Sequence, residues 1–388
     1  MLVPQRGFLE SEFEQRTARA QAKMSELKID AMLLTTEPNV RYFSGFFTQF
    51  WQSHTRPWFL LVPLRGKPIA VIPTIGMVGM LDTWIDDVRC WSSPQPDDDG
   101  ISLLASTIQE LPAQHGRIGV SLGAESHLRM PAGDFQTLRS KLNSTEIVDC
   151  SRLLLELCSL KSDTEVEKIK YVCELTSDSF NALPGYASVG DSEREIVQSM
   201  RMDLLKRGAD STPYIVSASG PDGYDNIIMG PTDRRLENGD LLIIDTGTIF
   251  DGYYCDFDRN FAFGHASDNA RRAYETVFKS THAGFEAARP GATTSDIWHA
   301  MWSVLEAGGA EGNDVGRMGH GLGAQLTEWP SITATDDTEL KPGMIMTLEP
   351  GMSYDHGKQM VHEENILITG SGAIMLSIRA AAELPVVT

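Results

Sequence analysis

The sequence predicts an α/β domain over residues 1–160 followed by an α+β domain over residues 161–388. Three observations carry that prediction. A chain of 388 residues exceeds what one hydrophobic core normally organises. Helical and strand patterns alternate through the first part, as a helix-covered sheet requires. In the second part, capped helices flank apolar segments joined by a hairpin signal, which argues for an antiparallel sheet.

Residues Glu10 to Leu27 read as a helix, with Phe13, Ala20, Met24 and Leu27 set among charges. Ile29 to Thr35 reads as a strand, Trp58 to Val62 and Pro68 to Pro73 as a strand pair, and Ile118 to Ser121 as a further strand. Between the first two lies an aromatic segment, Trp51-Gln52-Ser53-His54-Thr55-Arg56-Pro57-Trp58, which looks exposed and reads either as a substrate-gripping loop or as aromatic packing with a surface Arg. The change of domain falls at Lys161-Ser162-Asp163-Thr164-Glu165. There Ser162 and Glu165 have capping-box spacing and open a helix, and Ser192 with Glu195 opens another. Asp268 to Ala288 and Ser295 to Ala307 supply two more helices before a glycine-rich break.

Hydrophobic content of 41% with 22% charged residues is ordinary for a soluble globular protein. The net charge of −20 sets a field that repels nucleic acid and anionic membrane, so neither is expected as a partner. Cys90, Cys150, Cys158, Cys173 and Cys255 are scattered and odd in number, which reads as reduced thiols. The first residues run into acids rather than an apolar stretch, and no membrane-spanning run follows. A cytoplasmic location is expected.

The chemistry concentrates in Asp245, Asp256, His320, Glu349 and Glu363. Leu241-Leu242-Ile243-Ile244 reads as a buried strand that ends on Asp245. Asp251-Gly252 has hairpin-turn chemistry, with Tyr253 to Phe263 as the return strand. That register puts Asp245 and Asp256 on one sheet face, one diagonal step apart. Two acids on one face repel unless a cation lies between them. A solvated hairpin face is the plainer alternative, and the apolar flanks argue against it. His320 lies between glycines in Gly319-His320-Gly321-Leu322-Gly323. Glu349 ends the apolar run Met344 to Leu348, and Glu363 precedes Glu364, Asn365 and the strand-like Ile366-Leu367-Ile368. A carboxylate ending an apolar strand is costly to bury unless paired or metal-bound. Carboxylates and imidazole without thiolate suit a pair of divalent ions such as Mn, Co, Zn or Fe.

These segments resemble the creatinase / prolidase / aminopeptidase P / methionine aminopeptidase superfamily, the "pita-bread" metalloenzymes. The matches are Asp245-Thr246-Gly247, Asp256 eleven positions on, Gly319 to Gly323, Glu349-Pro350-Gly351, Glu363, and the Gly-Pro-Thr-Asp-Arg segment Gly230 to Arg234. Glu363 is preferred over Glu364 because the family's strand pattern after the ligand then runs in step. The resemblance covers the second domain closely and the first more loosely.

It implies a pita-bread catalytic domain in which Asp245 chelates one metal ion and Asp256 with Glu363 bridges two. His320 and Glu349 would hold the second ion, and Glu349 would act as general base toward a metal-bridging water. Two divalent ions are implied, manganese first among them. The implied activity is an Xaa-Pro dipeptidase or aminopeptidase type of C–N hydrolysis on a dipeptide or other small molecule, in a homodimer. His54, Arg56 and Trp329 are the expected substrate-binding residues.

The chain departs from the peptidases around this cage. Thr327 stands seven positions after His320, and Ile228 seventeen before Asp245, where peptidase members have histidines. Val361 stands where proline-specific members have arginine, and Asp258 where Thr or Ser is usual. Thr327, His362 and Tyr253 are the candidate replacement donors, so Thr327 joins Glu349 and His320 as a catalytic candidate. These departures favour a second reading: a creatinase-like or cyclic-amidine hydrolase, or a metal-dependent lyase, acting on a small metabolite. A non-catalytic binding module is the third, opposed by the cost of idle buried carboxylates.

Overall fold

The computed structural model describes residues 2–142, 144–312 and 316–388, and the chain divides into two compact units, 5–158 and, in the main, 159–388. Both expected fold classes are found.

In the first unit a six-stranded sheet runs in the order Asp87–Trp91, Ile69–Pro73, Phe59–Pro63, Ala31–Leu34, Arg117–Val120, Glu146–Asp149. Its central strands are apolar at every position because both faces are covered. Met32 and Leu34 belong to one core cluster with Leu60 and Val62. Ala31 and Leu33 belong to another with Phe59 and Leu61, so successive side chains feed opposite faces. Helix Glu10–Leu27 and helix Glu37–Ser44 pack residues into the first cluster, and helices Ile101–Glu110 and Ala132–Lys141 into the second.

The aromatic segment is not an exposed loop. A short 3-10 turn at Gln49–Gln52 buries Trp51 at 5.9 Å from the Trp58 ring, which also meets Phe46 at 5.3 Å. The indoles are therefore core. The segment shows Gln52, His54 and Thr55 to solvent, with Arg56 half-buried 5.5 Å over the Phe50 ring.

In the second unit, helices Asp163–Ala182 and Glu193–Arg207 start at the Ser162/Glu165 and Ser192/Glu195 capping boxes, each with both reciprocal bonds formed. Helices Asp268–Ala287 and Thr294–Ala307 follow, the latter with a third box at Thr293/Asp296. Two sheets carry the site. One pairs Ser211–Pro221, Asp240–Phe250 and Phe257–Phe263 antiparallel, with Val386–Val387 at its edge. The other runs Glu328–Ser331, His320–Gly321, Ile345–Leu348, Glu364–Thr369, Gly372–Met375. No helix among the described residues is long and apolar enough to cross a membrane.

Candidate metal centre

Asp245 lies in the middle of strand Asp240–Phe250 rather than at its end, because the strand continues to the Asp251-Gly252 turn. The return strand is interrupted: Tyr253–Tyr254 and Phe257–Phe263 pair with the same partner, and Cys255-Asp256 lies between them. Register is nevertheless continuous, from Phe250↔Tyr253 to Ala262↔Leu241. Asp258 faces Asp245, and Asp256 lies one diagonal step away on the same side.

His320 opens the short strand beside Ile345–Leu348. Glu349 and Glu363 flank the Leu348↔Glu364 pair, so register alone brings them side by side. Glycines admit the close approaches. A Cβ at Gly319, whose φ is +129°, would come within 2.3 Å of the Thr347 carbonyl oxygen. One at Gly247 would strike Leu326 at 2.2 Å.

The five side chains converge as two groups, Asp256–His320–Glu349 and Asp245–Asp256–Glu363, with ligand atoms in each within 4.8 Å of one another. Asp256 belongs to both. His320 Nε2 stands 3.0 Å from Glu349 Oε1 and 3.3 Å from Asp256 Oδ2. Its Nδ1 is 2.8 Å from the Gly321 carbonyl oxygen, an acceptor only, so Nδ1 carries a proton and Nε2 faces the carboxylates. Thr347 Oγ1 donates to Glu349 Oε1 at 2.5 Å. Glu364 faces elsewhere, paired with Arg259 at 3.0 Å, which leaves Glu363 to the cluster.

Burial, and then the neighbouring acids, hold Asp245 and Glu363 far above the usual carboxylate range. Burial also raises Asp256, to about 6, against the pull of His320. For His320 burial opposes charge, but Glu349 and Asp256 outweigh it and lift the imidazole to about 10. Burial pushes Glu349 up, and His320, Thr347 and Arg317 together pull it below its ordinary value.

The donor set fits divalent cations. Asp245 Oδ1 and Glu363 Oε2 are buried and, among the described residues, have no hydrogen-bond partner. Orphaned oxygens of this kind are costly unless a cation or proton meets them. A pH signature follows. With Asp245, Asp256 and Glu363 raised, the metal-stripped native state binds more protons than the unfolded chain. Its stability therefore falls as pH rises from about 4 through the folded values. Cations displace those protons and remove the loss. The urea midpoint of metal-loaded over stripped protein should thus widen between about pH 5.5 and pH 7.5. A constant gap would mean that these carboxylates do not meet the metal. Comparing the two forms cancels the surface charge.

The remaining expected residues fall as follows. Thr327 is exposed, and its Oγ1 accepts from Arg317 Nη2 at 3.4 Å. Ile228 is 74% exposed. Trp329 is half-buried against the main core cluster of this unit. His54 and Arg56 belong to the first unit. His362 turns away from the cluster into the core, with Nδ1 2.9 Å from Thr281 Oγ1 and its ring against Tyr274 and Phe278. Burial holds it down to about 4, so it is neutral. Tyr253 donates its hydroxyl to Glu165 at 2.9 Å. Of the three candidate donors, these two are committed elsewhere.

Sequence reasoning missed Tyr214 and Arg317. Tyr214 pairs with Gly247 across the sheet, and its phenol is raised by burial and then by Asp245, Glu363 and Asp256. The Tyr-Ile-Val run at 214–216 was the available signal.

Two family models match: Metallopeptidase family M24 over residues 167–370 and the Creatinase/Prolidase N-terminal domain over residues 16–157. A curated Xaa-Pro dipeptidase of Pyrococcus horikoshii is 26% identical over 360 residues, covering 91% of this chain and 94% of its own. Among solved structures, dipeptidase PepE of Mycobacterium ulcerans superposes with a TM-score of 0.85 at 26% identity, covering 98% of this chain and 99% of that one. A recombinant prolidase of Thermococcus sibiricus gives 0.85 at 23% identity, covering 98% and 100%, a likeness of fold. With the family's motifs on strands that bring their acids and imidazole together, the chain belongs to metallopeptidase family M24, metal-dependent hydrolases, and carries the creatinase/prolidase N-terminal domain ahead of the catalytic one.

Proposed function

We propose that the chain is a dinuclear metal-dependent hydrolase of the Xaa-Pro dipeptidase type that cleaves a C–N bond in a small substrate. The observation that carries this is the sharing of Asp256 between two three-residue groups, which is the arrangement two adjacent cations require. Asp245, Asp256 and Glu363 would hold one ion, and Asp256, Glu363, His320 and Glu349 the other. Manganese suits a carboxylate-rich set without thiolate. Ions bound there supply an acidified water and polarise the carbon under attack.

The chain's own residues do the rest. Glu349, oriented by Thr347, takes the proton of the attacking water as general base. His320 is fixed in tautomer and direction by the Gly321 carbonyl. Thr327 offers a single hydroxyl, which can donate one hydrogen bond but cannot take up or release a proton at neutral pH.

One observation favours the second reading, a creatinase-like or cyclic-amidine hydrolase on this same cage. Neither Ile228 nor Thr327 can act as the accessory acid that a peptide leaving nitrogen needs. A panel of Xaa-Pro dipeptides and amidino compounds, run with Mn, Co, Zn and Fe, separates the two. Cleavage of Xaa-Pro dipeptides should be weak even with the cage full, and Thr327→His should raise it by roughly tenfold to a hundredfold. Rapid dipeptide cleavage by the unaltered chain would show that the departures do not limit peptidase chemistry.

A further inference from the structure

Glu363 lies in the gap between strand Lys358–Val361 and strand Glu364–Thr369, so neither strand ladder holds its peptide groups. The side chains of two consecutive residues hold them instead. Asp258 Oδ1 accepts the Glu363 N–H at 2.6 Å, and Arg259 Nη1 donates to the Glu363 carbonyl oxygen at 2.9 Å. The main chain of Glu363 is thus committed, while its Oε2 has no partner among the described residues.

This grip belongs to a longer pattern. Asn260 Nδ2 donates to the Val361 carbonyl oxygen at 2.7 Å, and the Asn365 side chain bonds the peptide groups of residue 256. The partners 256 with 365, 258 with 363 and 260 with 361 advance by two on one side and recede by two on the other. That is the step of an antiparallel strand pair, but here each rung is a side chain bonded to main chain. Asn260 also receives the Tyr224 hydroxyl at 2.9 Å, and Tyr224 Oη accepts the Val361 N–H at 3.0 Å.

Asp258 is the middle rung. Fully buried and opposite Asp245, it has the place of a further metal ligand, yet its bonds say otherwise. Oδ1 is taken by the Glu363 N–H and Oδ2 by Asn260 Nδ2 at 2.8 Å, and neither group of converging ligand atoms includes it. A carboxylate suits this place because it offers two acceptors and no donor. A Thr or Ser has one oxygen on a shorter side chain and cannot span both donors. Asn260 is fixed by the same logic. One of its amide hydrogens goes to Asp258 and the other to Val361, so a flipped amide would set oxygen against oxygen.

We propose that Asp258 is a positioning residue that fixes the peptide of Glu363 and so aims its carboxylate to bridge the two cations. This deepens the two-metal reading and rests on it. Position 258 would then govern the second cation and the coupling between the pair, while touching neither.

Manganese titration of the metal-stripped full chain, followed by electron paramagnetic resonance, reads occupancy and geometry together. Two Mn ions sharing a carboxylate bridge give an exchange-coupled spectrum, and separate ions give the hyperfine pattern of isolated Mn. In Asp258→Asn, isosteric but carrying an amide, one donor must face another, at Glu363 or at Asn260. The second Mn should bind about tenfold to a hundredfold more weakly, and the coupled spectrum should give way to that of isolated ions. Loss of a negative charge alone would weaken both ions alike and leave the coupling. Asp258→Thr keeps one acceptor and should fall between Asp258→Asn and the parent. Urea midpoints of the stripped proteins show which variants fold. A merely structural Asp258 would lower the midpoint and leave coupling and second-ion affinity as in the parent. That result in Asp258→Asn, or in Asp258→Thr where the first does not fold, overturns the proposal. A parent that takes up no second Mn, or never shows coupling, sinks the two-metal reading itself and this proposal with it.

Discussion

Replacement of Asp256 by alanine is expected to empty both metal positions, whereas His320→Ala empties one. The asymmetry comes from the cluster's construction. Asp256 is the residue common to both three-residue groups, while His320 reaches only Asp256 and Glu349. Removing Asp256 leaves one group with two buried acids and the other with one acid and an imidazole, so neither keeps its three ligands. Hydrolysis should fall by several orders of magnitude, since no acidified water remains. Bonds from the Asn365 side-chain amide to the backbone of residue 256 hold that peptide, so the alanine variant keeps its local geometry. Elemental analysis of the folded variants decides the matter. Retention of one full equivalent in Asp256→Ala would show that the two groups do not share this ligand.

The second large effect is on stability. Lys161 and Glu328 form a buried ion pair at 2.7 Å, and the other oxygen of Glu328 accepts the Gln325 amide at 3.1 Å. This pins the loop that carries Thr327 to the start of the helix Asp163–Ala182. Lys161→Met strands the Glu328 carboxylate without its cation, at a cost of about 3–5 kcal/mol. Replacing both partners, Lys161→Met with Glu328→Leu, should recover much of that loss, because two apolar groups need no compensation. Urea unfolding of the single and double variants measures it. A single variant as stable as the parent would mean that water reaches the carboxylate.

Much of the cage was legible because its residue types are chemically restricted. The hairpin parity that aligned Asp245 with Asp256 is a two-residue period, and the structure keeps it even though the return strand is broken at Cys255-Asp256. Glu363 rather than Glu364 reaches the cluster for the same reason, since adjacent strand residues face opposite ways. Tyr214 was hard to read because it reaches Gly247, and so the acids, through sheet pairing over a long sequence separation, and Arg317, three residues before His320, carries no pattern that marks it. Trp51 and Trp58 stay open in the sequence between a substrate-gripping loop and aromatic packing because nothing local distinguishes a loop that bares its aromatics from one that folds them inward, and packing is what is found. Helix Ala132–Lys141 escaped notice for want of an apolar period; helix Ile101–Glu110, buried over much of its surface, escaped as well.

Asn365 gives the cage a property that neither sheet has alone. Its side-chain amide receives the Asp256 N–H at 3.0 Å and donates to the Asp256 carbonyl, filling the break in the return strand as a neighbouring peptide would. Asn365 sits two residues after Glu363 and also receives Cys173 Sγ at 3.3 Å. The spacing between the shared aspartate and the last glutamate is thus gauged by one rigid amide plane, not by the twist or breathing of two separate sheets. Sequence drift in the outer strands, in Thr327 or at position 228 can then reshape what enters the site while the distance across the acids stays calibrated. Evolution of new substrates on this scaffold would be tolerant at the rim and intolerant at a residue that need touch neither metal nor substrate.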